Sequence, residues 1–144
     1  QPKSRRLLLE ERVLGIAFWK NDDSIISKDK YFLFSEANRF LLENAFAGKE
    51  SEGGDKQRWE RFALEGELVY AGAEDKEIKK EASRLINSLE CEAVRTKLLE
   101  LAEEVRALEA KGDENAINEK LNRFQELTKK YNQIRRTAEQ ENEA

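Results

Sequence analysis

Apolar residues in the first part of the chain recur at helical intervals. Between residues 7 and 20, the positions that follow one another at steps of three or four are Leu9, Val13, Ile16 and Ala17. This spacing puts them on one face of a helix. Ser4 precedes the stretch, where its hydroxyl can accept a hydrogen bond from the first helical turn. The pattern therefore predicts a helix that begins after Ser4.

A second apolar stretch, residues 31–46, is rich in aromatic side chains. A polar break at residues 21–24 comes before it, and there Asp23 or Ser24 is predicted to cap a short helix through Ile25 and Ile26. Within residues 31–46 a helical face is marked by Phe34, Ala37, Phe40, Leu41 and Ala45. Because aromatic rings bury large areas, we expect this helix to contribute to the core.

Glycines divide the next part of the chain. Residues 49–56 contain Gly53-Gly54 and predict a surface loop. A short helix is predicted to begin around residues 59–63, and residues 68–70 are predicted to form a further turn or helix. Gly66 and Gly72 bracket that last piece.

Residues 75–111 contain neither Gly nor Pro and predict one long helix. Its later apolar positions alternate steps of four and three, as in a coiled-coil seam: Val94, Leu98, Leu101, Val105 and Leu108. Gly112 is the expected C-terminal stop, and Asp113 is the expected N-cap of the next helix. That helix repeats the spacing at Ile117, Leu121, Phe124, Leu127 or Thr128, Tyr131 and Ile134.

The short connection at Gly112-Asp113 predicts that the two long helices are antiparallel neighbours. The expected fold is therefore all-α, with a compact multi-helix subdomain over residues 1–74 followed by a long antiparallel helical hairpin over residues 75–144. Residues 75–90 are expected to pack partly on the compact subdomain. The polar residues from Thr137 to Ala144 are expected to fray.

Composition agrees with long, thin helices. Charged residues make up 39% of the chain, apolar residues another 39%, and the mean hydropathy is −0.82, which suits narrow apolar stripes. The net charge of −4 argues against nucleic acid as the main ligand, because its binders need a concentrated basic face. No apolar run reaches the ~20 residues of a membrane span. The single cysteine, Cys91, favours a reducing, cytoplasmic setting.

The chain lacks the residues of most catalytic sites. There is no His, and one Cys cannot form a zinc site. No phosphate-binding glycine loop is present. Adjacent acids such as Glu103-Glu104 point in different directions on a helix, so they favour solvated faces over a metal or acid–base pair. We therefore expect a non-catalytic domain without a metal or cofactor. The chain begins with Gln1 and contains no Met, from which we expect a segment of a longer protein.

Several side chains allow both a structural and a binding interpretation. The cations Lys129, Lys130, Arg135 and Arg136 surround Tyr131. They can oppose the helix dipole or contact an acidic partner or a phosphate backbone. Trp19 and Trp59 favour the core over an exposed binding role. Phe124 and Tyr131 lie on one stripe, where two helices alone cannot bury both rings, so seam packing and partner contact stay open.

Three stretches resemble the carboxy-terminal domain of bacterial DnaG-type DNA primases. The stretch GDENAINEKLNRFQELTKKY combines a Gly-Asp turn with an amphipathic helix that contains Phe124 and Leu127. The stretch ERVLGIAFWKNDD is similar to the opening helix of that domain, and FSEANRFLLENAF is similar to its next long helix. Their order and spacing cover most of the chain.

The resemblance implies a helicase-binding domain. Such a domain docks on the N-terminal domain of the hexameric, DnaB-type replicative helicase, recruits the primase to the replication fork and modulates the helicase. It carries no primer synthesis, and the isolated domain is expected to be monomeric. Its hairpin is the main docking element. The expected contact residues are Phe124, Leu127, Tyr131 and Ile134 as apolar anchors, with Arg135 and Arg136 as rim charges.

Two alternatives remain open from the sequence. The chain could be the N-terminal domain of the replicative helicase itself, or a similar dimerisation module, and would then self-associate through its hairpin. It could also be a nucleic-acid accessory domain, which would bind DNA in a salt-sensitive way.

Overall fold

A computed structural model describes residues 3–46 and 54–143, with side chains through residue 137. In these residues the chain is helical and forms no strand, which confirms the all-α fold class. The elements are α1 (Arg5–Lys20), a 3-10 helix (Lys28–Leu33), α2 (Glu36–Ala45), α3 (Gly54–Tyr70), α4 (Asp75–Lys111) and α5 (Glu114–Glu143). No described helix combines the length and apolarity that a membrane crossing requires.

The chain divides into two compact units, Gln1–Leu89 and Glu90–Ala144. The dividing point lies inside α4, within the segment 75–90 that was expected to pack partly on the compact subdomain. The physical reason is that the first turns of α4 carry side chains that are buried within the first unit. They are Ile78, Ala82, Leu85 and Leu89.

The first unit is built around α1, which the sequence predicted correctly. The Ser4 hydroxyl accepts a hydrogen bond from the Leu7 N–H at 3.2 Å, so the predicted cap is confirmed. Residues 13–18 are all buried, which leaves α1 with neighbours on every side over this segment. Phe18 lies in an aromatic cluster, with ring centroids 5.7 Å from Trp59 and 6.4 Å from Phe62. Trp59 therefore belongs to the core cluster, and Trp19 is half-buried.

The helix α1 packs on α3 through a glycine contact. Gly15 and Gly66 are both buried, and a Cβ on Gly15 would lie 2.9 Å from the Phe62 carbonyl oxygen. A Cβ on Gly66 would overlap the Gly15 carbonyl oxygen. The prediction that Gly66 separates a short helix from a further turn or helix at residues 68–70 is therefore wrong. It lies inside one continuous helix, where the missing side chain lets two backbones touch.

A buried carboxylate joins α1 to α2. Glu10 is 1% exposed, and its Oε1 accepts hydrogen bonds from the Ser35 N–H at 2.7 Å and from Asn38 Nδ2 at 3.0 Å. Arg6 Nε lies 3.6 Å from the other carboxylate oxygen. The Arg6 Nη2 also donates to the Leu33 carbonyl at 2.7 Å, and Arg58 of α3 donates to the Asn38 side-chain oxygen.

This network explains a break that the sequence did not predict. Residues 31–46 do not form one helix, because the 3-10 helix ends at Leu33 and α2 begins at Glu36. The Ser35 N–H at the break bonds to Glu10 instead of to a helical carbonyl. As a result the predicted face is wrong in part. Phe40 is 55% exposed, while the polar Asn38 is buried beside Leu41.

Other local predictions have mixed outcomes. Residues 25 and 26 form no helix, because the Asp22 carboxylate accepts hydrogen bonds from the Ser24 N–H and hydroxyl, which closes a turn. These bonds lower the pKa of the Asp22 carboxyl.

Residues 47–53 of the predicted loop lie outside the described residues, and α3 begins at Gly54. The long helix is confirmed from Asp75 to Lys111.

We expect Gly66→Ala to lower the free energy of unfolding by about 1–3 kcal/mol, because the new methyl group forces α3 away from α1. The loss exceeds the gain of about 1 kcal/mol that alanine normally brings to a helix interior. The measurement is the urea midpoint. The matched control is Gly54→Ala, where a Cβ meets nothing within 4 Å, and it should not lose stability. A Gly66→Ala chain as stable as the wild type would contradict the contact.

We expect Glu10→Ala to lower the free energy of unfolding by about 3 kcal/mol, because it leaves buried donors on Ser35 and Asn38 without an acceptor. The adjacent Glu11 provides the control. It pairs with the exposed Lys3 at 2.8 Å, so Glu11→Ala should change stability by no more than about 1 kcal/mol. Equal effects of the two substitutions would show that burial of Glu10 does not matter.

Candidate partner-binding site

The predicted contact residues all lie on α5, in the second unit. Gly112, with φ of +75°, separates α4 from α5, and its N–H donates to the Leu108 carbonyl at 2.9 Å. Asp113 Oδ1 accepts a hydrogen bond from the Ala116 N–H at 3.2 Å. The predicted stop and the predicted cap are thus confirmed, and together they fix where α5 begins.

An ion pair connects α4 and α5 near this turn. Lys120 Nζ lies 3.0 Å from Glu104 Oε2, and the two residues are equally far from Gly112 along the chain. The two helices therefore lie side by side at this level. The Lys120 ammonium beside Glu104 is the largest cause that lowers the pKa of that carboxyl.

Burial along α4 follows the predicted stripe. Leu101 is 1% exposed and Val94 is 8% exposed, whereas Leu99, which lies off the stripe, is 62% exposed. The remaining members of the stripe, Leu98, Val105 and Leu108, are half-buried.

The half-buried stripe on α5 differs from the predicted one at a single position, where Lys120 takes the place of Leu121. Leu121 is 42% exposed, while Lys120 is half-buried and holds the ion pair to α4. The placement of Leu121 in the seam was therefore wrong. Lys120 lies 11 residues before Tyr131, which is close to three helical turns, so both side chains project from the same side of α5. Helical spacing alone therefore places Lys120 on the stripe, but a pattern of apolar residues does not include a charged side chain.

The four predicted anchors share one face of α5 and are all half-buried: Phe124, Leu127, Tyr131 and Ile134. Their spacing of three, four and three residues keeps them within one helical stripe. Between them, the Thr128 hydroxyl donates to the Phe124 carbonyl at 2.8 Å. This bond satisfies the Thr128 hydroxyl within the helix.

The predicted rim cations lie at the end of that face. Arg135 and Arg136 are exposed, and the Arg135 guanidinium carbon lies 5.8 Å from the centre of the Tyr131 ring. That distance is within the range of a cation–π contact. Tyr131 and Arg135 thus form one unit, with an apolar ring beneath a cation, whereas nothing described links Arg136 to the ring.

Among the described residues, no three His, Cys, Asp or Glu side chains come together in a way that could hold a metal ion. The single thiol, that of Cys91, is half-buried. What the described α5 face presents is apolar surface with cations at one end.

The first unit also exposes apolar side chains for which the sequence predicted no role. A groove of about 410 Å³ opens between α1 and α3 beyond the glycine contact, and Leu8 and Val69 line it. On α3, Leu64 is 55% exposed and Leu68 is 75% exposed. Leu64 and Leu68 each lie two residues from Gly66, so they project from the side of α3 opposite the glycine contact.

Comparisons with family models, with curated proteins and with solved structures give no match to this chain.

We expect Glu104→Gln to weaken the acid dependence of stability. The folded-state pKa of Glu104 lies below its ordinary value of 4.5. The ion pair therefore contributes stability above about pH 4.5, and this contribution is lost as the pH falls through the lowered pKa. The urea midpoint should fall less between pH 7 and pH 3 in the variant than in the wild type. Glu103→Gln, at an exposed neighbouring position, should keep the wild-type dependence, and identical profiles for all three chains would contradict the role of the pair.

Proposed function

We propose that this chain is a protein-interaction domain that binds the N-terminal domain of a DnaB-type hexameric replicative helicase, as the resemblance to the carboxy-terminal domain of primases implies. The observation that supports a docking role is the half-buried apolar face of α5 formed by Phe124, Leu127, Tyr131 and Ile134. In this proposal the domain recruits a primase to the replication fork and modulates the helicase, without catalysis, metal or cofactor.

The physical reason for docking is the apolar area that stays in contact with water. Each of the four side chains keeps part of its surface exposed in the described second unit. Covering apolar area contributes about 25 cal/mol per Å². The residue types of the face also fit a binding hot spot. In protein interfaces, Tyr and Arg are enriched among the few central side chains that contribute most of the binding free energy.

Charge supports an acidic partner surface. The exposed Arg135 and Arg136 lie at the end of the apolar face, while the chain as a whole carries a net charge of −4. Rim cations of this kind steer association with an acidic surface and set its dependence on salt. The overall negative charge disfavours DNA as the ligand. An amphipathic helix face in a groove of a partner protein is an established mode of recognition.

We expect calorimetric titration of this chain with the isolated helicase N-terminal domain to show binding at micromolar concentrations. The combined substitution Tyr131→Ala and Ile134→Ala should weaken it by roughly 30-fold, because two hot-spot side chains together cost about 2 kcal/mol or more. Leu121→Ala is the matched control, since Leu121 is an exposed apolar residue of the same helix that lies off the face, and it should change affinity less than threefold.

Two outcomes would count against the proposal. Absence of binding at tens of micromolar would exclude the helicase as the partner. Unchanged affinity of the Tyr131 and Ile134 variant, with its helical circular dichroism intact, would exclude this face as the contact. The same face is equally suited to a second copy, as in the alternative of a helicase N-terminal or dimerisation module. That alternative predicts tight self-association without the helicase, abolished by the same two substitutions.

A further inference from the structure

A cavity of about 390 Å³ opens in the first unit, between the end of α2 and the 3-10 helix. Leu42 in its lining is buried, and the rings of Tyr31 and Phe46 are half-buried. The interior of the cavity is therefore apolar and aromatic. Three exposed charged side chains complete the lining, and they are Asp23, Lys28 and Glu43.

The fold holds both aromatic residues in place. The ring centroid of Phe46 lies 5.9 Å from that of Phe18, so the core cluster supports this ring. The Tyr31 carbonyl accepts a hydrogen bond from the Phe34 N–H at 3.1 Å, which fixes the backbone of Tyr31 at the end of the 3-10 helix. A cavity that is formed before binding spares a ligand the cost of ordering the protein. Its volume lies at the small end of ligand pockets, which suits a single long side chain.

Two carboxylates make this cavity negative. Burial raises the pKa of the Tyr31 phenol, and the charges of Asp23 and Glu43 raise it further, so both carboxylates lie close enough to act on the same ring. Within the part of the chain that the structure describes, neither of them forms an ion pair. Lys28 is the one cation in this lining against two carboxylates, and the cavity therefore keeps a negative charge.

The position of Glu43 in α2 adds to this negative field. The C-terminal end of a helix carries a partial negative charge, which favours cations there. The last turn of α2 contains Glu43 and no basic residue, so an anion lies where the helix dipole is already negative. A cation supplied by a binding partner would relieve this repulsion.

We propose that this cavity binds the side chain of an arginine on a partner protein. The planar guanidinium can stack on an aromatic ring such as that of Tyr31, and its fork of N–H donors matches carboxylates. Its apolar stem is suited to the surface of Leu42. A lysine ammonium would meet the carboxylates but has no planar face to stack. The site uses none of the α5 residues proposed to bind the helicase, so the two contacts can be tested separately.

An NMR titration of the isotope-labelled chain with N-acetyl-arginine amide tests the site. The amide signals around the cavity should shift and saturate, with a dissociation constant on the order of 1–10 mM for a single side chain. N-acetyl-citrulline amide has the same shape without the charge, and it should bind about fivefold more weakly, because its hydrogen bonds are not charge-assisted. Free arginine carries its own carboxylate, so it should bind no more tightly than the amide.

Charge variants assign the binding to this cavity. Glu43→Gln should weaken binding about threefold, and Asp23→Asn together with Glu43→Gln about tenfold. Lys28→Gln should strengthen binding about twofold, because it removes a competing cation. The matched control is Glu36→Gln, which makes the same change at an exposed position of α2 outside the lining, and it should leave the dissociation constant unchanged. The NMR spectrum of each variant shows that it is folded.

Four results would overturn the proposal. The first is the absence of a saturable shift up to about 50 mM of the arginine amide. The second is equal binding of the citrulline amide, which would show that charge plays no part. The third is tighter binding of free arginine, which would assign the cavity to the free amino acid. The fourth is an equal effect of Glu36→Gln and Glu43→Gln, which would place the contact outside the cavity.

Discussion

The contact between Gly15 and Gly66 determines how the first unit is assembled. At this point the backbone of α1 lies directly against the backbone of α3, which only residues without a side chain permit. The close approach sets the register of the pair, with Phe18 beside Trp59 and Phe62 on one side of the crossing. On the other side the helices carry larger side chains and leave the groove between them. Core and groove are thus two consequences of one backbone contact.

The buried Glu10 provides a second constraint of a different kind. A carboxylate in the core is costly unless its oxygens accept hydrogen bonds, and here the donors come from Ser35 and Asn38. Because the Ser35 N–H is used in this way, α2 cannot extend back into the 3-10 helix. The polar network therefore fixes where α2 starts and which of its faces meets α1. Apolar packing, being non-directional, would not specify this start.

The parts of this fold that follow from periodicity could be predicted from the sequence, and the parts that depend on one tertiary contact could not. The helix from Asp75 to Lys111, the stop at Gly112 and the caps Ser4 and Asp113 are encoded locally. Gly66, by contrast, has the same local signature as a helix end, and only its distant partner Gly15 makes it a packing residue. Glu10 likewise has no local signature of burial, because its hydrogen-bond donors on Ser35 and Asn38 lie 25 and 28 residues away along the chain.

The candidate site shows the same division. The stripe of α5 anchors was predictable because three- and four-residue steps define a helix face without any tertiary information. The rotation of that stripe towards Lys120 was not, since a hydrophobic pattern assigns a lysine to the solvent side. A long cationic side chain can lie along a seam when its stem is covered and its ammonium meets a carboxylate, and Glu104 supplies one.

The ion pair at Lys120 also bears on what α5 can do. The pair lies in the seam between α4 and α5 near the turn. A leucine at the position of Lys120 would instead have packed against α4 through apolar contacts. Farther along the helix the face carries Phe124, Tyr131 and the cation of Arg135 over the ring. These side chains are already held in a folded helix, so a partner that covers them has less conformational entropy to remove than it would in binding a disordered segment. A face that is ordered yet incompletely covered is what docking by a rigid helix requires.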